Sequence, residues 1–217
     1  FYLPLAADCD FYQNAIRNAS LSDVEKYTHN ITFVGSLYTE KCPYDKVKNL
    51  SPKISGYLHG IMKAQEKVYG YYFVEELLSD ELVDEFVKNY DGYYLAGEED
   101  LLTKKRTLAQ FYIGNKITAM ERVDTFKYLS EKFEVDIYTA SDTKEIPKLK
   151  NHGTIMTHTK MPIVFNKSTI NLNPTSKPIR SGIPLRIFDL LACEGFVLCN
   201  YQSDLLNEFL PGEELDI

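Results

Sequence analysis

Short apolar runs, most of them bounded by glycine or proline, occur once near the start of the chain and repeatedly in its second half. Runs of this length and setting are typical of buried strands. They lie at Ile31–Gly35, Val135–Thr139, Ser168–Asn173 and Phe196–Cys199, with a weaker run at Gly153–Met156. Leu185–Cys193, entered through Pro184, has the apolar spacing of a helix. Strands that alternate with helices predict an α/β fold, here a Rossmann-like parallel sheet with flanking helices.

A helical pattern separates the first predicted strand from the others. Apolar and buried-type positions recur at helical spacing at Ile54, Leu58, Ile61, Gln65 and Val68, and a further helical stretch runs from about Asp100 to Phe133. We therefore expect a helical insertion at about residues 54–117 within a domain that covers residues 31–217. Residues 1–30 are interpreted as an interdomain connector, since Pro4 biases the residue before it toward extended geometry.

The last residues predict a short helix and the beginning of another strand. Ser203 is expected to cap a helix that runs through Phe209 and ends at Pro211-Gly212. Leu215–Ile217 indicates the start of a strand, and Phe1 is not an initiator methionine. Both ends favour a fragment of a longer protein rather than a complete enzyme.

Composition narrows the class of protein. With 217 residues, 44% hydrophobic and 25% charged, the chain has ordinary globular composition. Its 24 basic and 31 acidic residues give a net charge of −7, which disfavours a nucleic-acid partner. We expect no transmembrane segment, because no apolar stretch of about 18 residues is present. The four cysteines have no C-x-x-C spacing, which favours a reduced, cytoplasmic chain without structural zinc.

The run from Ile170 to Gly195 carries the most chemical information. A strand ending at Asn173-Pro174 is followed by a loop with Ser181, Gly182 and Ile183, and a helix begins at Leu185. Backbone N–H groups of such a loop and the positive end of the helix form an anion site suited to a diphosphate. Two charged residues lie in this helix, Arg186 and Asp189. Arg186 is unfavourable in a first turn unless an anion is nearby, and the alternative is a surface ion pair with Asp189.

Other polar or aromatic residues near predicted strand ends also have ordinary structural interpretations. Gly35-Ser36 follows the first strand, and its ordinary interpretation is a plain strand end. Tyr138 ends a strand and either stacks on a ligand or packs as a half-buried ring. The histidines share no metal-ligand spacing, so no metal site is expected; they include His29, His59 and His152.

The segment from Ser181 to Val197 resembles the donor-binding segment of retaining GT-B glycosyltransferases. In that group a Glu-x7-Glu pair is followed by an Ala–small–Gly run and a short apolar strand, and the second Glu holds the ribose of the nucleotide. Asp189 matches the second carboxylate, and Ala192-Cys193-Glu194-Gly195 matches the run that follows. The first carboxylate is absent, because Ser181 stands in its place. That departure leaves the stereochemical outcome open.

Several stretches together resemble the CgeB-like spore-maturation family of GT-B glycosyltransferases. They are Leu3–Asp8, Phe33–Lys41, Ile170–Asn173, Ser181–Arg186 and Asn200-Tyr201. The resemblance implies glycosyl transfer from a nucleotide-diphosphate sugar to an unknown acceptor, with the sugar nucleotide as substrate and no separate cofactor. Donor contacts are then expected from Gly35, Ser36, Lys41, Tyr138, Asn173, Ser181, Gly182, Ile183, Arg186 and Asp189.

The same resemblance implies that the N-terminal acceptor domain is absent from this chain, which would then be inactive alone. Two alternatives stay open. One is a degenerate, non-catalytic module that binds a nucleotide or a partner, which the missing carboxylate at Ser181 favours. The other is a sugar epimerase, which needs a donor site but no acceptor. Transfer by the full-length protein, or epimerised product without transfer, would separate these readings.

Overall fold

The computed structural model describes residues 5–90, 93 and 103–210. The predictions for Leu3-Pro4, for Pro211-Gly212 and for the strand at Leu215–Ile217 therefore lie outside the described residues. The chain divides into two compact units. One, the sheet unit, takes its residues from 1–36, 123–175 and 181–217; the other, the helical unit, takes them from 37–122 and 176–180.

Five parallel strands form the centre of the sheet unit. They are β1 (His29–Val34), β2 (Val135–Tyr138), β3 (Lys150–Asn151), β4 (Ser168–Asn173) and β5 (Val197–Cys199), in the order β3-β2-β1-β4-β5. All four strand pairs are parallel. The predicted α/β fold with a parallel sheet is confirmed.

The strand predicted at Gly153–Met156 is wrong. The edge strand β3 instead lies three residues earlier, at Lys150–Asn151, and pairs with Asp136 and Ile137. Gly153 has a φ of +75°, and its N–H donates to Asn151 Oδ1 at 2.9 Å, so the chain turns where the strand was expected. Apolar residues after a turn of this kind do not continue the sheet.

Among the described residues, five helices lie wholly within the sheet unit: α1 (Cys9–Arg17), α2 (Leu21–Lys26), α7 (Met161–Lys167), α8 (Leu185–Ala192) and α9 (Leu205–Glu208). Side chains of Asp8 and Ser20 accept from backbone N–H groups and cap α1 and α2. The predicted cap at Ser203 is wrong, because the N-cap of α9 is Asp204, whose side chain makes no capping hydrogen bond. The connector assignment for residues 1–30 stays a prediction; within that stretch, Tyr12 and Ile16 of α1 pack against the sheet-unit core.

The turn from α8 into β5 explains the run Ala192–Gly195. Glu194 adopts left-handed geometry with a φ of 56°, and its N–H donates to Leu191 O at 2.9 Å while Gly195 N–H donates to Leu190 O at 3.0 Å. This pair of bonds is a Schellman motif. A Cβ on Gly195 would lie only 2.6 Å from Phe165 O, so the glycine is required by close packing.

Hydrogen bonds of a buried side-chain amide connect this turn to the central strands of the sheet. Asn171 in β4 is 1% exposed, and its Nδ2 donates to Phe165 O at 3.0 Å and to Phe196 O at 3.1 Å. Its Oδ1 accepts from Thr32 Oγ1 of β1 at 2.9 Å. Every bond runs to a neutral group, so the network fixes the register without burying a charge.

The helical unit fills the chain between β1 and β2. Its described helices are α3 (Pro52–Glu66), α4 (Asp80–Lys88) and α5 (Lys104–Thr107), then a π-helical turn (Leu108–Ile113) that leads into α6 (Gly114–Lys132). Short 3-10 turns lie at Thr39–Lys41, Pro43–Lys46 and Val74–Leu77. The unit boundary falls within α6, after Arg122. The predicted helical insertion after the first strand is confirmed, although residues 91–92 and 94–102 of it lie outside the described part.

Aromatic rings pack together in the core of the helical unit. Phe86 is fully buried and lies within 6.4 Å, between ring centroids, of Tyr44, Tyr90, Tyr93 and Tyr112.

Across residues 5–90, 93 and 103–210, no helix combines the length and apolarity needed to cross a membrane.

Candidate functional site

The carboxyl ends of the parallel strands form one edge of the sheet. Strand order reverses there between β1 and β4, because the chain goes from β1 to β2 on one side and from β4 to β5 on the other. In open α/β sheets, ligands bind at such a switch point, outside the carboxyl ends of the strands. The loops after Val34, Asn173 and Cys199 therefore define the candidate site.

Gly35 ends β1 in close contact with its neighbours. Its N–H donates to Tyr138 O at 3.1 Å, and a Cβ here would lie 2.9 Å from the end of the Phe33 ring. Ser36 follows and is half-buried. The glycine thus has a packing role, and its position at the carboxyl edge is the one that a donor loop requires.

The loop after β4 is tied to the loop after β5. Asn173 Nδ2 donates to Thr175 Oγ1 at 3.1 Å. Thr175 N–H donates to Asn200 Oδ1 at 2.7 Å, and Asn200 Nδ2 donates back to Thr175 O at 2.9 Å. These bonds hold Asn173, a predicted donor contact, in a fixed orientation at the edge.

The loop before α8 has one special position, Gly182, with a φ of +84°. The N–H of Gly182, which was predicted to bind a diphosphate, donates to Asp204 Oδ2. Ser181 beside it is exposed, whereas Ile183 is buried in the sheet-unit core. An anion that takes the Gly182 N–H must therefore replace the Asp204 carboxylate.

Helix α8 presents its positive end to this loop. Pro184 is the N-cap, and no side chain within the described ranges supplies a capping hydrogen bond. Arg186 in the first turn donates through Nη1 to Asp189 Oδ2 at 3.2 Å and to Met161 Sδ at 2.9 Å. Its guanidinium also lies 5.4 Å from the Phe165 ring centroid, while about one third of the side chain stays exposed.

Asp189 has a partner on each carboxylate oxygen. Tyr12 Oη donates to Oδ1 at 2.9 Å and Arg186 holds Oδ2, and the residue is only 8% exposed. Burial, reinforced by the hydrogen bond to Asp189, raises the pKa of Tyr12 to about 12. The ion pair between Arg186 and Asp189, which was the alternative interpretation of these two residues, is present in the structure. A ribose hydroxyl would have to compete with Tyr12 and Arg186 for the Asp189 carboxylate.

Two further predicted residues lie in other settings. Tyr138 is 5% exposed and its ring packs among Tyr27, His29 and His152; burial raises its pKa, so the hydroxyl stays protonated. Lys41 belongs to the helical unit, where its Nζ lies 5.8 Å from the Tyr38 ring centroid. The structure joins Gly35 to Tyr138 and Arg186 to Asp189.

Sequence reasoning missed three partners at this site: Tyr12, Thr175 and Asp204. Tyr12 and Asp204 lie 177 and 22 residues from the groups they bind, Asp189 and Gly182. No local spacing connects such pairs. Thr175 could have been predicted from the sequence, because a threonine two residues after a strand-ending asparagine is a common local hydrogen-bond partner.

Residues 117–217 match the model of a family described as glycosyl transferase-like. The matched part, just under half of the chain, runs from within α6 through β2, β4, α8 and β5, and so includes the loop before α8. The match supports glycosyl transfer in general. No curated protein and no solved structure matches the chain.

Proposed function

We propose that the sheet unit binds the donor of a glycosyl transfer reaction, a sugar carried on a nucleoside diphosphate. The observation that carries the proposal is the arrangement of β4, the loop through Gly182 and the open N-terminus of α8 at the switch point of a parallel sheet. This part of the chain also falls within the glycosyl transferase-like match. Asn173, Ser181 and Ile183 then line the donor position, with Gly35-Ser36 on the neighbouring strand end.

In this proposal the diphosphate lies against the first turn of α8. Backbone N–H groups and the helix dipole stabilise negative charge there, and that charge grows as the sugar leaves the diphosphate. Arg186 is one third exposed on its side chain and carries a planar fork that binds two phosphate oxygens. Asp189 holds this guanidinium in place, and Tyr12 holds Asp189.

Arg186 supplies the decisive test. Calorimetric titration with UDP, GDP, TDP and ADP should identify a binding nucleotide, and Arg186→Ala should weaken its affinity by about 1.5–3 kcal/mol, the usual cost of losing a charged hydrogen bond. The matched control is Arg17→Ala, since Arg17 ends α1 in the same unit. Equal affinity in wild type and Arg186→Ala would contradict the diphosphate contact.

The resemblance places the acceptor site in a second domain, so we expect these 217 residues to bind nucleotide without transfer. A product assay with the matching sugar nucleotide and candidate acceptors measures this. Multiple turnovers by residues 1–217 would contradict the expectation while leaving the donor site intact.

A non-catalytic nucleotide-binding module is the second candidate. Two observations favour it: Ser181 replaces the first carboxylate of the resembled motif, and both oxygens of Asp189 are bonded within the unit. Nucleotide binding together with no turnover by the longest natural form of the protein, across a panel of sugar nucleotides, would favour this module over a transferase.

A further inference from the structure

Two histidines and an aspartate from three separate strand regions meet in the sheet unit. His29 is the first residue of β1, Asp136 lies in β2, and His152 follows β3 directly. One ligand atom of each residue lies within 4.8 Å of those of the other two. The cluster arises because β3, β2 and β1 are adjacent in the sheet, so sequence spacing could not have predicted it.

Two of the three distances between ligand atoms are close to those of a coordination shell. Asp136 Oδ1 lies 3.5 Å from His29 Nδ1 and 2.7 Å from His152 Nε2. Ligand atoms around a tetrahedral zinc are about 3.3 Å apart when its bonds are about 2.0–2.1 Å long. The His29 separation already fits, and it is longer than an ordinary hydrogen bond. His152 needs to move by about half an ångström, and its side chain is 39% exposed.

The surroundings orient the ligands. His29 Nε2 lies 2.8 Å from Tyr138 Oη, and a histidine whose second nitrogen is held in this way keeps its ring and tautomer fixed for a metal. The backbone N–H of His152 donates to Ile137 O at 2.9 Å, and its ring stacks on Tyr138 at 5.0 Å between centroids. Asp136 has a side chain only 6% exposed, and a buried carboxylate is stabilised by a nearby cation.

A cavity of ≈ 280 Å³ adjoins the cluster and is lined by His152 and by Tyr138, which contacts both histidines. Lys26 and Lys160 also line this cavity; Lys160 is paired with Asp23 at 2.9 Å, and Lys26 favours an oxygen ligand of negative charge. Three protein ligands with one position open to a cavity are typical of zinc sites that bind water or a substrate.

We propose that His29, Asp136 and His152 bind one divalent transition-metal ion, for which zinc is the best fit, with the fourth position facing the cavity. Imidazole and carboxylate together suit zinc better than magnesium or calcium, which prefer oxygen ligands alone. The proposed site is built from residues other than the predicted diphosphate loop, and it does not rest on the proposed transferase function.

Zinc competition against a chromophoric chelator tests the proposal on the full chain. We expect one zinc per chain, and an affinity at least ~10-fold weaker in His152→Gln and in Asp136→Asn. Cobalt provides a second readout, because a tetrahedral Co²⁺ site absorbs strongly in the visible region and the band should disappear in both variants. His152→Gln changes a half-exposed side chain, so this arm stays informative if Asp136→Asn fails to fold.

The matched control is His59→Gln, which removes an exposed histidine on α3 and should leave zinc affinity and the cobalt band unchanged. A wild-type stoichiometry near zero, or equal zinc affinity in wild type and His152→Gln, would overturn the proposal. The same holds if His59→Gln weakens binding as much as His152→Gln, because binding would then reflect scattered surface histidines.

Discussion

Two buried polar networks, one in each unit, show two different ways of burying polar groups. In the sheet unit, Asn171 joins Thr32 to the backbone of Phe165 and Phe196 through neutral hydrogen bonds. In the helical unit, Lys177 is buried with its Nζ 3.3 Å from Glu121 Oε1, and burial lowers its pKa. A neutral network depends on the exact fit of backbone and side chain, whereas a buried ion pair depends on both charges being present.

The ion pair of the helical unit is surrounded by further partners. Lys177 Nζ also donates to Glu66 O at 3.2 Å and to Val68 O at 3.3 Å, and it lies 3.0 Å from the Tyr69 ring centroid. Tyr69 Oη donates to Glu121 Oε1 at 2.6 Å. These contacts compensate for the loss of water around both charges. The comparison predicts that charge removal is most harmful at Lys177 and Glu121, and added volume most harmful beside Asn171.

The largest effect should follow Lys177→Met. Removing one partner leaves Glu121 charged and buried, which typically costs about 3–5 kcal/mol of unfolding free energy. Urea denaturation followed by circular dichroism measures the loss. The double variant Lys177→Met with Glu121→Gln should recover a large part of it, since no charge then stays uncompensated. A cost below about 1 kcal/mol for the single variant would contradict the comparison.

Gly195→Ala should come next, at about 2–4 kcal/mol, because the new Cβ would lie 2.6 Å from Phe165 O and 3.0 Å from Asn171 Nδ2. Urea midpoints give the value. The matched control is Gly60→Ala in α3, where a Cβ meets nothing within 4 Å and where alanine should stabilise the helix by up to about 1 kcal/mol. Similar changes in unfolding free energy for the two substitutions would mean that the turn at Gly195 accommodates a Cβ at little cost.

Asp189→Asn should have an intermediate effect of about 1–3 kcal/mol, because the carboxylate serves both Tyr12 and Arg186. This pair is charged, as is Asp136 beside its two histidines in the same unit, and it is less buried than Lys177 and Glu121. If Asp189 also positions Arg186 for a diphosphate, nucleotide affinity falls along with stability. A variant with normal stability and weakened binding would instead indicate direct contact with the nucleotide.

The smallest effect should be a pH dependence due to Tyr12. Its pKa is raised in the folded state to about 12, so its contribution is fully present below about pH 10 and is lost as the pH rises toward 12. The difference in melting temperature between wild type and Tyr12→Phe should therefore shrink between about pH 10 and about pH 12. Other buried tyrosines cancel in this difference. A constant difference across that range would contradict the raised pKa.

Strand β2 was predicted from its apolar run alone. The other elements that were predicted correctly have glycine or proline beside an apolar run. Strands β1 and β4, β5 and helix α8 were found near their observed bounds for this reason. Strand β3 was missed because it consists of only Lys150 and Asn151, two polar residues at a sheet edge. A two-residue edge strand carries no apolar periodicity, so its position follows from the pairing with β2 alone.

The candidate site was predicted in outline but not in its partners. The loop-and-helix pattern from Asn173 to Asp189 is local, and the structure places it at the carboxyl edge of the sheet. The bonds from Tyr12 to Asp189 and from Gly182 to Asp204 join distant parts of the chain. They depend on how helices pack against strands, which a single sequence does not encode in its spacing.

The segment 176–180 belongs to the helical unit although the residues on both sides of it belong to the sheet unit. The helical unit is thus made of two pieces of chain, and Lys177 in the short piece is neutralised by Glu121 in the long one. In evolutionary terms, we expect the gain or loss of the long piece to be accompanied by a change at Lys177. A relative that lacks α3 to α5 and Glu121 should carry an uncharged residue at the position of Lys177, so the two changes should be inherited together.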